Sequence, residues 1–422
     1  MKTVSSGSSG SKWSFMNCVV SSVVVFVALL SPASVMAIVN PNAYVSNNGT
    51  GTVTVINSTN NAIVTTISGF TAPTGLIMSI DGTKVYVANT GANNVAVINT
   101  ATNTIAKLIP VGVTPLEAAA SPDGLHIYIT NQGDGTLSVI DTATDTVSAT
   151  VTLGGLPAEA AVTPDNAHVY VTDSSGVVRV VATATNTVSA TIVDPSFALP
   201  IPIAITPDGK TAYVGNLIGV PGVVSVISTA TNTVTQTIPV GLIPFGLAIT
   251  PNGATLYVAN SASNTISVVA TATNIITATI TDAVASGPEG MAVTGDGTKL
   301  FVANNGLDQI GVVTTANNTI SATVQEPVAS SPVQVALQVP QPAPAPNPCP
   351  ADDDDKDKDG HHKRHHHDND GDHDRDGDRD HHDNHHDNDD KNDCDQSNDR
   401  DHDHHDDGDH DHGDGHGDHD NF

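Results

Sequence analysis

An aromatic residue followed by an aliphatic one, a small one and Asn or Asp recurs seven times along the middle of this chain. The phrases start at Tyr44, Tyr86, Tyr128, Tyr170, Tyr213, Tyr257 and Phe301, separated by steps of 42, 42, 42, 43, 44 and 44 residues. A period of that size belongs to a solenoid, a propeller or an array. The third unit shows what one period contains. Glu117 to Ser121 is an apolar run closed by the turn Pro122-Asp123-Gly124, and Ile127 to Asn131 is a second strand. Thr136 to Ile140 and Thr146 to Val151 alternate with a period of two, as half-buried strands do, around the polar hairpin Asp141–Asp145. Gly and Pro punctuate the junctions and no segment reads as a helix. Four antiparallel strands per unit predict an all-β, seven-bladed β-propeller.

The ends of the repeat region predict how the ring closes. Tyr44 has no apolar strand before it, and Pro332–Val339 is a first-type strand with no blade after it. Residues 44–67 supply three strands and 332–339 the fourth, which removes two open sheet edges. The span 38–339 divides into seven units of about 43 residues each, the size of a propeller blade.

The phrases Tyr128-Ile129-Thr130-Asn131, Leu137 to Thr144 and Ser121-Pro122-Asp123-Gly124 resemble the YVTN-type β-propeller repeat of exported and surface-layer proteins of bacteria and archaea. The resemblance covers residues 40–339, and no unit carries a Trp-Asp dipeptide. It implies an extracytoplasmic disc, often a binding scaffold, and brings no shared catalytic residues.

The first residues fit an export signal. Lys2 and Lys12 precede an apolar run of 12 residues, Val19 to Leu30, and Val35-Met36-Ala37 fits a small-x-small cleavage site. Residues 1–37 are therefore read as a signal peptide. A retained anchor is the alternative, but the run is shorter than the roughly 20 residues of a spanning helix. The expected product is exported, to the periplasm, the cell surface or the medium. It has no transmembrane span and is a monomer.

Charge separates the rest of the chain into two parts. The net charge is −30; residues 1–350 hold 16 acidic and 7 basic residues, against 29 and 8 in 351–422. So acidic a chain lacks the cations that nucleic-acid phosphates require. With 3% aromatic residues it also lacks stacking platforms for single strands.

Within the disc, candidate chemistry is sparse. The third position of the first strand in each blade reads Gly75, Glu117, Glu159, Pro202, Gly246, Gly290 and Gln334, and Glu289 lies one residue out of register. Glu117, Glu159 and Glu289 are expected at the mouth of the central channel. Neighbouring carboxylates there could hold a cation or serve as acid and base; otherwise they are simply solvated. His126 and His168 occupy equivalent positions in adjacent blades, on an exposed rim. The Asn/Asp that ends each repeat phrase is read as turn chemistry rather than a binding ring. No Gly-x-Ser-x-Gly or His-Glu-x-x-His motif is present, and no Cys lies in the disc, so nucleophilic catalysis has no visible carrier.

Residues 340–350 form a Pro-rich linker of extended type. The tail, 351–422, holds 29 Asp and 17 His among 8 Lys/Arg, 7 Gly and 6 Asn, a composition too polar to form a core and expected to be disordered. Its oxygens suit calcium, and its imidazoles suit zinc, nickel or copper. Asp372, Asp374, Asp376, Asp378, Asp380 and Asp383, with Gly377, fall on a calcium-loop spacing, although position 12 is Asp rather than Glu. His361, His362, His365, His366, His367, His381, His382, His385 and His386 form clusters suited to transition metals, with His404 and His405 a further pair. Cys349 and Cys394 either pair in an oxidising compartment or stay free thiols. The expected partners are divalent cations and a protein or cell-envelope component. The reading from another class is an exported hydrolase or lactonase that uses Glu117 and Glu159.

Overall fold

The computed structural model describes residues 41–281 and 286–337. Residues 1–37 read as a signal, the Pro-rich linker, the Asp/His tail with its candidate ligands, and both Cys349 and Cys394 lie outside the described residues. Within them, seven four-stranded antiparallel sheets follow one another along the chain. In the third blade the strands are Pro115–Ala120, His126–Asn131, Thr136–Asp141 and Thr146–Thr152. Each lies within one or two residues of the sequence expectation. The first strands of successive blades touch in one closed cycle, so they form the inner ring around the axis. The only helical elements among the described residues are the short 3-10 turns Thr90–Ala92, Ser261–Ser263 and Asn305–Leu307.

The predicted clasp is present. Pro332–Leu337 pairs antiparallel with Asn42–Asn47, with Tyr44 opposite Ala336, Val45 opposite Val335 and Ser46 opposite Gln334. It becomes the inner strand of blade 1, whose other strands are Asn42–Asn47, Thr52–Asn57 and Ala62–Ser68.

Burial follows the layer. The inner, second and third strands are enclosed along most of their length, whereas outer strands such as Thr146–Thr152 alternate between exposed and half-buried positions. Strands covered on both faces need near-continuous apolar sequence, and half-covered ones need only alternation.

The recurrent tyrosine joins most blades to the next. Its ring is buried, and in five of six cases its hydroxyl donates to an Asn or Asp held at positive φ in the neighbouring blade's third-to-outer hairpin; Tyr128 makes no such bond, and the Asn186 side-chain oxygen of blade 4 is buried with no partner. The bonds are Tyr44 to Asn103 (2.7 Å), Tyr86 to Asp145 (2.6 Å), Tyr170 to Asn232 (2.5 Å), Tyr213 to Asn274 (2.7 Å) and Tyr257 to Asn318 (3.0 Å). Blade 7 has Phe301 at this position, and the Asn61 side-chain oxygen of blade 1 is buried with no partner. Phe301→Tyr is therefore expected to stabilise the disc by about 0.5–1.5 kcal/mol, the usual net worth of a hydrogen bond. Chemical denaturation checks this; an unchanged or lower midpoint would show that Asn61 cannot be reached.

Because consecutive strands reverse direction, the loops sort onto two faces. The polar face holds the first-to-second and third-to-outer turns. There, Asp123 accepts from Ser121 Oγ (2.5 Å) and the Leu125 amide (2.9 Å), and Gly124 at φ 73 completes the turn. Asn166 fills the glycine position of the next blade at φ 58, a conformation Asn tolerates. Lys84 and Lys299 open second strands at this face, Lys210 directly precedes one, and Lys107 reaches the face through the carbonyl of Thr144 (2.8 Å). Both ends of the described body, Pro41 and Leu337, also lie there.

The opposite face is formed by the second-to-third loops and the loops that enter each blade. These two sets are laced by backbone bonds such as Gln132 N to Thr114 O (3.0 Å), Ser174 N to Leu156 O (3.0 Å) and Ser261 N to Ile243 O (2.9 Å). That lacing makes the second face a continuous backbone platform.

Candidate functional site: the channel carboxylates and the loop faces

Glu117 and Glu159 sit on adjacent inner strands at equivalent positions, Pro115–Ala120 and Pro157–Val162. Both are enclosed, with 1% and 0% of their surface exposed, which overturns the solvated reading. One oxygen of each reaches a different blade. The Glu117 Oε2 lies over Gly75 of blade 2 and accepts from Gln334 Nε2 of blade 1 at 3.4 Å. The Glu159 Oε2 accepts from the Ile203 amide of blade 5 at 3.1 Å. Each carboxylate therefore spans from its own blade toward a different neighbour.

Hydroxyls extend this inner network. The Glu117 amide donates to Thr130 Oγ1 (3.1 Å), and Thr130 donates to the Ala158 carbonyl of the next blade (2.8 Å). Thr172 repeats the link to Ile201 (2.7 Å), and Thr74 links to Leu116 (2.6 Å). One position nearer the loop platform, Leu116, Ala158, Ile201 and Phe245 pack into an apolar cluster with Leu217. Thr74 of blade 2 and Glu289 of blade 7 occupy the same strand position, so this level of the ring mixes hydrocarbon with polar groups.

Glu289 also lies in the inner ring, on Pro288–Val293. Its residue surface is partly exposed, but one carboxyl oxygen is buried with no hydrogen-bond partner. Burial pushes its carboxyl up to about 8, against a smaller opposing effect of the Asn305 side chain. The folded state thus holds this proton more tightly than the unfolded chain. Stability from it is fully present below the unfolded value near 4.5 and is lost as pH rises through about 8. Glu289→Gln is expected to flatten the decline of melting temperature between those limits; an equal decline in the variant would assign it to other groups.

Glu326, which sequence reasoning missed, is a buried acid in the loop before the closing strand. Its Oε2 accepts from Thr54 Oγ1 (2.6 Å) and Asn47 Nδ2 (3.4 Å) of blade 1, and burial raises its pKa. It ties the last loop to the first blade beside the clasp. The only signal in the sequence was its position just before Pro332.

The Asn/Asp ring is structural; the expected turn bond is made at Asp173, whose Oδ1 accepts from the Ser175 amide (2.8 Å), while the other side chains bond mainly elsewhere. Asn47, Asn89, Asn131, Asp173, Asn216, Asn260 and Asn304 are all buried, and φ at Asn89, Asn260 and Asn304 lies between −95° and −104°. Their side chains fasten the third strand, as in Asn131 to Ser138 (2.9 Å) and Asn260 to Ser267 (2.9 Å), or the entering loop, as in the Thr71 amide to Asn89 (2.6 Å). Asp173 does both, accepting from the Leu156 amide and pairing with Arg179.

His126 and His168 are half-buried at the polar face, where His126 lies near the ring of Tyr128. Among the described residues, no three His, Cys, Asp or Glu side chains are placed to hold a metal ion. No helix there is long and apolar enough to cross a membrane.

The large apolar side chains that remain exposed are distributed unevenly. Val113, Leu156, Val193, Ile218, Val220, Leu242, Ile243, Leu307 and Val328 lie in or beside the loops of the laced platform. Ile63, Val64, Leu108, Val188 and Ile275 lie on outer strands, and Leu125 is on the polar face. No lysine or arginine among the described residues falls in a platform loop.

No protein-family model matches the sequence, and no curated protein does. Solved structures share its fold. A functionally unknown protein from Desulfotomaculum acetoxidans DSM 771 aligns with TM-score 0.63 at 16% identity, covering 72% of this chain and 100% of the other. Kuenenia stuttgartiensis hydrazine synthase aligns with TM-score 0.57 at 18% identity, over 68% of this chain and 99% of the other. The dihydro-heme d1 dehydrogenase NirN aligns with TM-score 0.54 at 14% identity, over 73% and 77%. At these identities the likeness shows the β-propeller fold alone.

Proposed function

We propose that this chain is an exported, non-enzymatic propeller scaffold of the YVTN type, which presents an interaction face and collects divalent metal ions on its Asp/His tail. The observation that carries the first part is the state of the channel carboxylates. Glu117 and Glu159 are enclosed and bond to different neighbouring blades, whereas acid–base chemistry needs polar groups converging on an accessible pocket. The second part rests on tail composition, 29 Asp and 17 His in residues 351–422.

Calorimetric titration of the full chain and of a chain ending at residue 350, with calcium, zinc, nickel and copper, tests the metal reading. The full chain is expected to bind several ions, and the shortened chain is expected to lose that binding. Retained binding would move the site into the disc. Hydrolysis of a panel of lactones by the full chain, lost in Glu117→Gln and Glu159→Gln, would replace the scaffold with an enzyme.

A further inference from the structure

Resting on the scaffold reading, we propose that the laced loop platform, and not the polar face, is the docking surface, and that it takes a protein partner presenting aliphatic side chains fringed by Lys or Arg. The apolar tips carry the argument. Val220 is 91% exposed, Val328 88% and Ile218 63%, with Val113, Leu156 and Leu307 also standing out of the platform. Monomeric surfaces scatter single apolar residues, but a set gathered on one face marks an interaction site. The tips stand on loops pinned to one another by backbone hydrogen bonds, so the surface is pre-ordered and docking orders little new backbone.

Charge selects the partner. The ionic groups of the platform loops are acidic: Asp134 is exposed, and Asp194 and Asp308 are half-buried. All the lysines among the described residues, Lys84, Lys107, Lys210 and Lys299, sit at or reach toward the other face, and the single Arg179 is paired with Asp173. Lipid headgroups and nucleic acids present phosphates, which this face has no cation to meet. It also lacks the Trp and Tyr that sit at bilayer interfaces, since every tyrosine of the described residues is buried. A second copy docked face to face would set acid against acid. A protein that supplies both hydrocarbon and cations complements what is there.

The test uses synthetic aliphatic peptides whose flanks carry Lys/Arg, Asp/Glu or Ser, titrated by fluorescence anisotropy against the full chain and two double variants. Val220→Ser/Val328→Ser removes platform tips; Leu125→Ser/Ile275→Ser removes apolar surface elsewhere. Both pairs are exposed, so the fold is preserved, and all three proteins keep the same acidic tail. Basic-flanked peptides are expected to bind the full chain and the second variant alike, and the platform variant about tenfold more weakly, the equivalent of about 1.4 kcal/mol. Loss in the Leu125/Ile275 variant with none in the platform variant would place docking on the other side while leaving the scaffold reading intact. Equal binding of acidic-flanked peptides, or no binding by any peptide, would overturn the partner chemistry. Val220-dependent capture on phosphatidylcholine vesicles, or a Val220-dependent dimer in sedimentation, would overturn it in favour of a membrane or a second copy.

Discussion

A chain cut before Pro332 is expected to lose its cooperative unfolding transition altogether. The missing strand, Pro332–Leu337, is the inner strand of blade 1 and the last member of the inner ring. Its loss leaves the backbone groups of Ala43 to Asn47 without their ladder partners and takes Val333, Val335 and Ala336 out of the interior. Burying each valine is worth about 1.5–3 kcal/mol, and each buried backbone group left unpaired costs about 1–3 kcal/mol. Together these approach the whole stability of an ordinary domain, about 5–15 kcal/mol. Thermal melting followed by circular dichroism reads the outcome. A cut chain that still melts sharply, within a few degrees of the intact one, would show that the remaining sheets hold the disc without its clasp.

Gly75→Ala is expected to destabilise the protein by about 1–3 kcal/mol or more, the range for overpacking a well-filled interior. A Cβ at Gly75 would lie 2.3 Å from Glu117 Oε2, 2.5 Å from the Leu116 carbonyl oxygen and 2.6 Å from Glu117 Cα. Two of those three atoms are backbone of the neighbouring inner strand and cannot swing aside. Consequently Glu117→Ala in the same chain should restore only part of the loss. Gly311→Ala supplies the contrast: its Cβ would meet the Asn304 side-chain nitrogen at 3.0 Å and nothing else closer than 3.8 Å. That change is expected to be neutral, or to stabilise by up to about 1 kcal/mol through the unfolded chain. Equal denaturation midpoints for the two variants would mean that the inner ring has more slack than its contacts indicate.

The architecture was legible because the same solution is written seven times. Tyr44 through Phe301 mark the second strands, and alternation marks the outer ones. The orphaned strand at Pro332 announces the closure. What repetition cannot convey is where a side chain goes once it leaves the repeat. Glu117 and Glu159 share a register position, yet one crosses Gly75 toward blade 1 and the other reaches Ile203 of blade 5. Their directions are set by which neighbour offers a vacant Cβ or an unpaired amide, a property of other strands. The Asn/Asp ring misled for a related reason. Asn is a turn residue by local propensity, but here the partners are hydroxyls such as Ser138 and Ser267 on the next strand. Glu326 sits in a non-repeating loop, and its role depends on Asn47 and Thr54, which lie 279 and 272 residues away.

The pairing of Ala43 with Leu337 brings the two ends of the disc side by side. The seam is thus a matter of covalent bookkeeping more than of architecture. Joining Leu337 to Asn42 through a short peptide and opening the chain at any second-to-third loop would move the gap to another blade. All seven sheets would stay as they are, so one disc can be offered with its new ends on the apolar platform instead of on the lysine-bearing side.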